Sequence, residues 1–415
     1  MILGTIKNIH KEFLNIETKD RKSILAVAFN LFLLLFSYPM IRSASTAIFL
    51  EKFGAKNTPL VWILSVVALS ISVTLFNKFQ KKKNVFFLYN FVVMITVLFF
   101  IICNALYYVD VPYSSYFYYV WKEVYIILLV HLSLGYLNAS VDYKVAKLTY
   151  GPLGALGSLG GVLGGMATNK IIPWINSING GHGVFFVGLL GVTVVGITHF
   201  VFRTSGNDVK IKKEEKKQLS PLRSVRDIKS YVVLIGAIVA VSQFVINLAN
   251  YKFNLGIEGH VTGLEEKAPF LGNVYSNINL VSFLFQIFLI PIILKFVKVK
   301  WVHFFIPFIY ILVFFTTLGP VGGFLPVTIL FVTYKGLDYS VFSTAKEMLY
   351  FPLLDVQKYG AKYIVDMIVY RASKMVISAL LLVYNTAFFV DCTLGICLII
   401  WIALTAFLFT KKHEK

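Results

Sequence analysis

Residues Lys335 to Lys374 read K-G-L-D-Y-S-V-F-S-T-A-K-E-M-L-Y-F-P-L-L-D-V-Q-K-Y-G-A-K-Y-I-V-D-M-I-V-Y-R-A-S-K. Lys335, Asp338, Lys346, Glu347, Asp366, Arg371 and Lys374 thereby sit inside, or at the edge of, apolar runs long enough to cross a bilayer. A charge at the centre of a lipid-embedded helix costs about 2.5 to 3.5 kcal/mol on insertion scales, so such residues face a partner or a wet cavity. The stretch marks a pathway through a membrane protein.

Composition agrees: 58% of the chain is hydrophobic and only 14% charged, with 38 Phe and 23 Tyr in 415 residues, which leaves too little polar surface for water. Apolar windows of about 18 to 25 residues predict spans near 23–50, 59–77, 85–107, 115–138, 153–176, 183–202, 231–254, 270–294, 301–318, 322–348, 363–384 and 388–409. The expected fold is an all-α polytopic bundle of twelve transmembrane helices in two six-helix halves, 23–202 and 231–410. A basic linker, 203–230, joins them, and a short tail, 411–415, ends the chain. Residues 1–22 precede the first span, and Ile2, Ile6, Ile9, Phe13 and Ile16 recur there at helical spacing among lysines, as in an in-plane amphipathic helix.

The net charge of +19 raises the question of nucleic acid, and the placement of the basic residues answers it. Of 39 Lys and Arg, 28 fall in alternate loops and the termini, four (Lys52, Lys56, Lys170 and Lys267) on the other side, and the remaining seven within spans. Such an asymmetry is the positive-inside pattern, with both termini cytoplasmic. It reports topology, and no nucleic-acid partner is expected. Scattered histidines and three cysteines offer no metal or disulfide framework, and no cofactor is expected. An Ile, Lys, Asn and Phe bias without a transit peptide points to a bacterial inner membrane. The short basic loops at 77–83 and 295–300 occupy matching places in the two halves, as in repeat-built carriers.

Several polar residues need explanation if these spans are correct. Arg42 lies near the far end of span one, either snorkelling to the interface or facing inward. Glu123 follows Lys122 on span four, where the two can neutralise one another or Glu123 can enter a cavity. Gln243, Asn247 and Asn250 form one polar face of span seven, which lipid does not tolerate uncovered. Lys335 and Asp338 are placed to compensate each other three residues apart, whereas Arg371 and Lys374 make a basic face suited to phosphate or carboxylate oxygens. The glycines from Gly151 to Gly165 recur every three or four residues, as in helices packed backbone to backbone.

Tyr339-Ser340-Val341-Phe342 followed by Lys346-Glu347-Met348-Leu349-Tyr350-Phe351-Pro352-Leu353 resembles the Y-S-x-F-x-x-x-K-E-M-A-Y-I-P-L motif of the ATP/ADP translocases, nucleotide transporters of intracellular bacteria and plastids. Gly360, Lys362, Asp366, Arg371 and Lys374 continue the likeness, as do Phe36 to Arg42 and Val141 to Leu153. The resemblance implies a major-facilitator-like bundle that moves a nucleotide or related phosphorylated anion by alternating access, binding ATP and working as an antiporter. It places Lys346 and Glu123 at, or within a residue of, the family's functional charges. Two charges are missing: Ser45 stands where the family has lysine, and Asn250 where it has glutamate.

The expected function is a secondary transporter, not an enzyme, since neither a Walker-type loop nor a nucleophile triad is present. Its expected substrate-binding residues are Arg42, Glu123, Gln243, Asn247, Asn250, Lys346, Arg371 and Lys374, with Glu123 or Asp338 for ion coupling. The expected partners are the lipid bilayer and a small nucleotide-like anion, and the expected state is monomeric. Two alternatives stand beside it: a proton-coupled carrier of a non-nucleotide solute, and a membrane scaffold or sensor that has lost transport.

Overall fold

The computed structural model describes residues 17–80, 82–206, 220–318 and 323–410. The expectations for the amphipathic stretch 1–16, the middle of the linker and the tail 411–415 lie outside them. Among the described residues there is no strand, and twelve helical spans follow one another. The first half comprises α1 (Thr18–Phe53), α2 (Thr58–Gln80), α3 (Val85–Tyr108), α4 (Ser114–Ser140), α5 (Tyr143–Asn179) and α6 (Gly183–Arg203). The second comprises α7 (Lys229–His260), α8 (Leu264–Leu284 continued to Phe296), α9 (Val299–Phe315), α10 (Phe324–Leu337 continued to Leu349), α11 (Asp355–Lys362 continued to Val383) and α12 (Ala387–Thr410). Eight of these helices are long and apolar enough to cross a membrane as they stand. Of the other four, α9 has 17 residues, α10 and α11 are divided by wider turns, and α5 is diluted by glycine. Phe29, Ile71, Met94, Phe200 and Ile399 are each more than half exposed, a greasy outer girdle that only lipid or another apolar surface can cover.

Packing repeats with a shift of six. In the first half α1 packs on α4, α5 and α6, α3 on α4 and α6, and α2 on α4; in the second, α7 packs on α10, α11 and α12, α9 on α10 and α12, and α8 on α10. The halves meet through α5 and α1 against α8 and through α2 against α11; the same shift exchanges the α5–α8 and α2–α11 contacts. Glycine explains the tightest of them. A Cβ added at Gly165 would stand 2.5 Å from the Gly272 carbonyl oxygen of α8, and one at Gly164 only 1.9 Å from the Phe36 carbonyl oxygen of α1. The glycine ladder of α5 therefore lets two backbones approach from two sides, the close packing its spacing implies.

The end at which α1 begins and α12 finishes is here the near end. At the far end the halves are tied by polar contacts: Lys267 of α8 pairs with Glu51 of α1, Glu258 of α7 accepts the Ala55 N–H at 2.8 Å, and Asn176 of α5 donates to Glu265 of α8 at 2.8 Å. Gly54 makes the second contact possible, because its φ of +72° disfavours other residues and a Cβ there would lie 2.7 Å from the Glu258 carboxylate. Beneath the ties, Phe49, Trp62 and Tyr119 of the first half share a buried apolar cluster with Ile246 and Ala249 of the second.

Two expectations change. The stretch 203–230 is not linker throughout: Pro221–Ser224 is a helical turn docked on α11, where a Cβ on Gly360 would clash with the Ser224 hydroxyl, and Arg226–Ile228 is a second turn that leads into α7. The spans also outrun their apolar windows, α5 beginning at Tyr143 and α11 at Asp355, since a helix continues where polar residues carry it out of the hydrocarbon.

Candidate functional site

Two adjoining cavities of about 430 and 400 Å³ lie between the halves and share Tyr38, Arg42, Tyr339 and Tyr370. The smaller, at mid-bundle, is lined by Glu123 of α4, Gln243, Asn247 and Asn250 of α7, Lys335 of α10, and Asp366, Arg371 and Lys374 of α11. The larger reaches toward the near end past Ser158 of α5, Asn279 and Gln286 of α8, and Asp338 and Lys346 of α10. Both volumes fall within the range of about 300 to 1,000 Å³ usual for small-molecule sites.

Arg42 belongs to both cavities. Its guanidinium carbon lies 4.1 Å from the Tyr275 ring centroid and 5.6 Å from that of Tyr38, and its buried Nε has no hydrogen-bond partner. The arginine thus points inward between aromatic faces of the two halves, away from headgroups. Pro39, one turn earlier, interrupts the helical ladder beside it and itself lines the larger cavity.

The other ionisable residues are partly compensated. Lys346 Nζ lies 2.7 Å from Asp366 Oδ1, which also accepts the Tyr350 hydroxyl at 3.4 Å. Lys122, 1% exposed, stays out of the cavity lining: its Nζ donates to Thr46 Oγ1 at 2.9 Å, lies 3.6 Å from Glu123 and covers the Tyr119 ring at 3.2 Å. Glu123 turns into the cavity while neutralising its neighbour, so the two readings of that pair describe one geometry. Lys374 stands 5.9 Å from the Trp62 ring centroid across the α2–α11 contact, and Lys335 5.3 Å from that of Tyr339.

Lys335 and Asp338, expected to compensate each other, act on one another through space and not as a direct ion pair. They line different cavities, and among the described residues neither forms an ion pair. A π-turn, Asp338–Phe342, starts between them and the cavity-facing residues that follow, and another, Tyr363–Val369, encloses Asp366. Wider turns of this kind are frequent at functional sites because they re-aim side chains without ending the helix.

All eight residues expected to bind substrate line one or both cavities, as does Asp338. The polar stripe of α7 is buried as lipid requires: Asn247 donates to the Gln243 carbonyl at 2.7 Å, and Gln243 Nε2 has no partner. Ser45, which replaces the translocase lysine, is wholly buried, donates to the Arg42 carbonyl at 3.2 Å and lines neither cavity. Lys335 and Asp366 were visible as buried charges but had no assigned role. The Trp62, Tyr119 and Tyr370 rings carried no signal, because 16% of the chain is aromatic, and Tyr339 stood out only as the first residue of the translocase-like motif. Ser158, Asn279 and Gln286 read as ordinary packing residues until α5 and α8 are brought together. Counting both linings, five cations (Arg42, Lys335, Lys346, Arg371 and Lys374) face three carboxylates (Glu123, Asp338 and Asp366), leaving two positive charges.

By sequence the chain matches no family model and no curated protein. By structure it superposes on the crystal structure of the nucleoside transporter NupG with a TM-score of 0.64 at 11% identity, covering 95% of this chain and 100% of that one. The fold is major-facilitator-like. A bacterial homologue of the iron transporter ferroportin, in an inward-facing state, aligns with a TM-score of 0.66 at 10% identity over 93% of this chain and 99% of that one. A bacterial homologue of the human lysosomal transporter Spinster, inward-facing and unoccupied, gives 0.58 at 12% identity over 95% and 97%. The expected fold class, a multi-pass helical bundle of this type, is what the chain adopts.

Proposed function

We propose that the chain is a secondary transporter that carries a nucleotide or a similar phosphorylated anion by alternating access between its two halves. The observation that carries this reading is the lining of the central cavities. Arg42, Lys335, Arg371 and Lys374 form no ion pair among the described residues, and the surplus of two positive charges asks for an anionic occupant. Guanidinium and ammonium groups match phosphate oxygens, and the rings of Tyr339 and Tyr370, partly exposed in the cavities, supply faces on which a base can stack. Gln243, Asn247 and Asn250 add neutral donors and acceptors. In this reading the near end faces the cytoplasm of a bacterial inner membrane, where the basic loops belong. The two six-helix units, 23–202 and 231–410, are then the moving bodies, and one chain forms the whole pathway.

Uptake of labelled ATP, ADP and nucleosides into proteoliposomes, with and without a pH gradient, tests it. Saturable uptake of a phosphorylated compound, driven by the same compound inside, is expected; uptake of neutral nucleosides alone would overturn the anionic assignment, and no transport at all would favour the scaffold. The proton-coupled alternative has one observation in its favour: Asp338, 8% exposed, lines a cavity without an ion pair. If it carries the proton, Asp338→Asn abolishes acceleration of uptake by a pH gradient while leaving exchange at zero gradient in place. Unchanged gradient dependence in that variant removes Asp338 from the scheme.

Far-end ties holding this state together make a further prediction. Lys267 is buried against a half-exposed Glu51 and Glu258 accepts a part-buried N–H, so each tie contributes about 1 kcal/mol. Lys267→Met together with Glu258→Ala should therefore raise the far-open population several-fold. The readout is maleimide labelling from the far side of a cysteine placed at Asn247, with Cys103, Cys392 and Cys397 replaced. No change in labelling rate would mean that the ties do not set the equilibrium.

A further inference from the structure

Away from the central cavities, a groove of about 570 Å³ runs along the outside of the second half at the near end. Its floor is α7, where Gly236, Ala237 and Ala240 leave a depression beside Val232 and Val233. Ile364 and Val369 of α11 form one wall, and Leu222 and Val225 of the docked helical turns form another. At Gly236 there is room beside the helix: an added Cβ would make only ordinary contact with Val369 and Val365, at 3.7 and 4.0 Å. Val233 and Leu222 are 67% and 74% exposed, so nothing in the chain covers the groove among the described residues. Two polar side chains contribute to it, Arg226 and Lys229, both exposed and both at the end where α7 leaves the bilayer.

We propose that this groove is a binding site for an anionic phospholipid of the near-end leaflet, with an acyl chain along the small-residue floor of α7 and the headgroup phosphate between Arg226 and Lys229. Charge and depth select this occupant. A free phosphate has no use for an apolar trough, a neutral detergent has none for Arg226 and Lys229 at its mouth, and a zwitterionic lipid gains less there than an anionic one because its own ammonium offsets its phosphate. Basic residues at the cytoplasmic boundary of helices, beside a gap between them, are a recurrent form of lipid headgroup site. The groove joins the docked turns to α7 and to α11 at its π-turn, so its occupant would also brace the segment that carries Asp366. The site is separate from the proposed transport pathway and does not depend on what that pathway carries.

Native mass spectrometry of the full chain in mild detergent, titrated with phosphatidylglycerol or phosphatidylcholine of matched chains, tests the proposal. With each basic residue near an anionic surface worth about fivefold in affinity, the anionic lipid should be retained roughly 25-fold more tightly. Arg226→Gln with Lys229→Gln should erase that preference, whereas Gly236→Leu should weaken binding of both lipids by filling the floor. The exposed Gln pair leaves the packed interior untouched, so it reports even if Gly236→Leu fails to fold. Equal retention of the two lipids by the parent chain, an undiminished preference in the Gln pair, or displacement of the lipid by soluble glycerol phosphate alone overturns the assignment.

Discussion

Arg42→Ala is expected to weaken binding of a phosphorylated substrate by about two orders of magnitude while leaving the protein folded. Hydrogen bonds to a charged group contribute about 1.5 to 3 kcal/mol each. A guanidinium offers two in parallel to a phosphate, and every 1.4 kcal/mol is about tenfold in affinity. Arg42 is the one charged residue shared by both cavities, and its buried Nε already lacks a protein partner. Arg42→Lys restores the charge but not the planar fork, so it should recover about a tenth of the lost affinity. Competition of labelled ATP by unlabelled ATP, ADP and nucleoside, measured on both variants beside a melting curve, separates lost recognition from lost stability. Full affinity in Arg42→Ala would remove the central cavities as the binding site.

Gly164→Val should have the largest effect on folding. The Phe36 carbonyl oxygen occupies the position a side chain would take, 1.9 Å from the added Cβ, and an oxygen of the backbone cannot rotate away. Overpacking a tight contact costs typically about 1 to 3 kcal/mol when side chains can yield. Here α1 and α5 would have to part along their length, so little monodisperse protein is expected on size-exclusion chromatography. Gly151→Ala is the matched control: nothing lies within 4 Å of its added Cβ. That change should be neutral or stabilise by up to about 1 kcal/mol, since alanine favours a helix. Equal yields of the two variants would show that the α1–α5 contact is looser than described.

Much of the architecture was legible because lipid is a severe solvent. It permits only apolar helices, so hydropathy alone located twelve spans, and buried charges stood out against it in α10 and α11. Helix ends were less visible: the polar Asp355–Lys362 that opens α11 and the Tyr143 start of α5 lie outside any apolar window, although the backbone stays helical through them. Partnerships between distant helices could not be read at all. The glycines of α5 announced a close approach but not that α1 would take one face and α8 the other. Glu258 and Glu265 are ties only because Ala55 and Asn176 of the other half lie beside them, which nothing in the sequence signals. Candidate site residues were recognised where chemistry made them anomalous, as with Lys346 or Asn250, and overlooked where, as with Tyr370 or Gln286, their type is common everywhere.

The three π-turns, Phe285–Leu289, Asp338–Phe342 and Tyr363–Val369, all belong to the second half, and none occurs among the described residues of the first. Each turn stores one extra residue, and one residue of an α-helix corresponds to a rotation of about 100°. Tightening the turn at Asp338 to ordinary α geometry would swivel Lys346 relative to Lys335 through about that angle and lengthen α10 slightly. The two halves are therefore unequal: among the described residues, only the side that carries Lys335, Lys346 and Asp366 has turns whose rewinding would re-aim its charges.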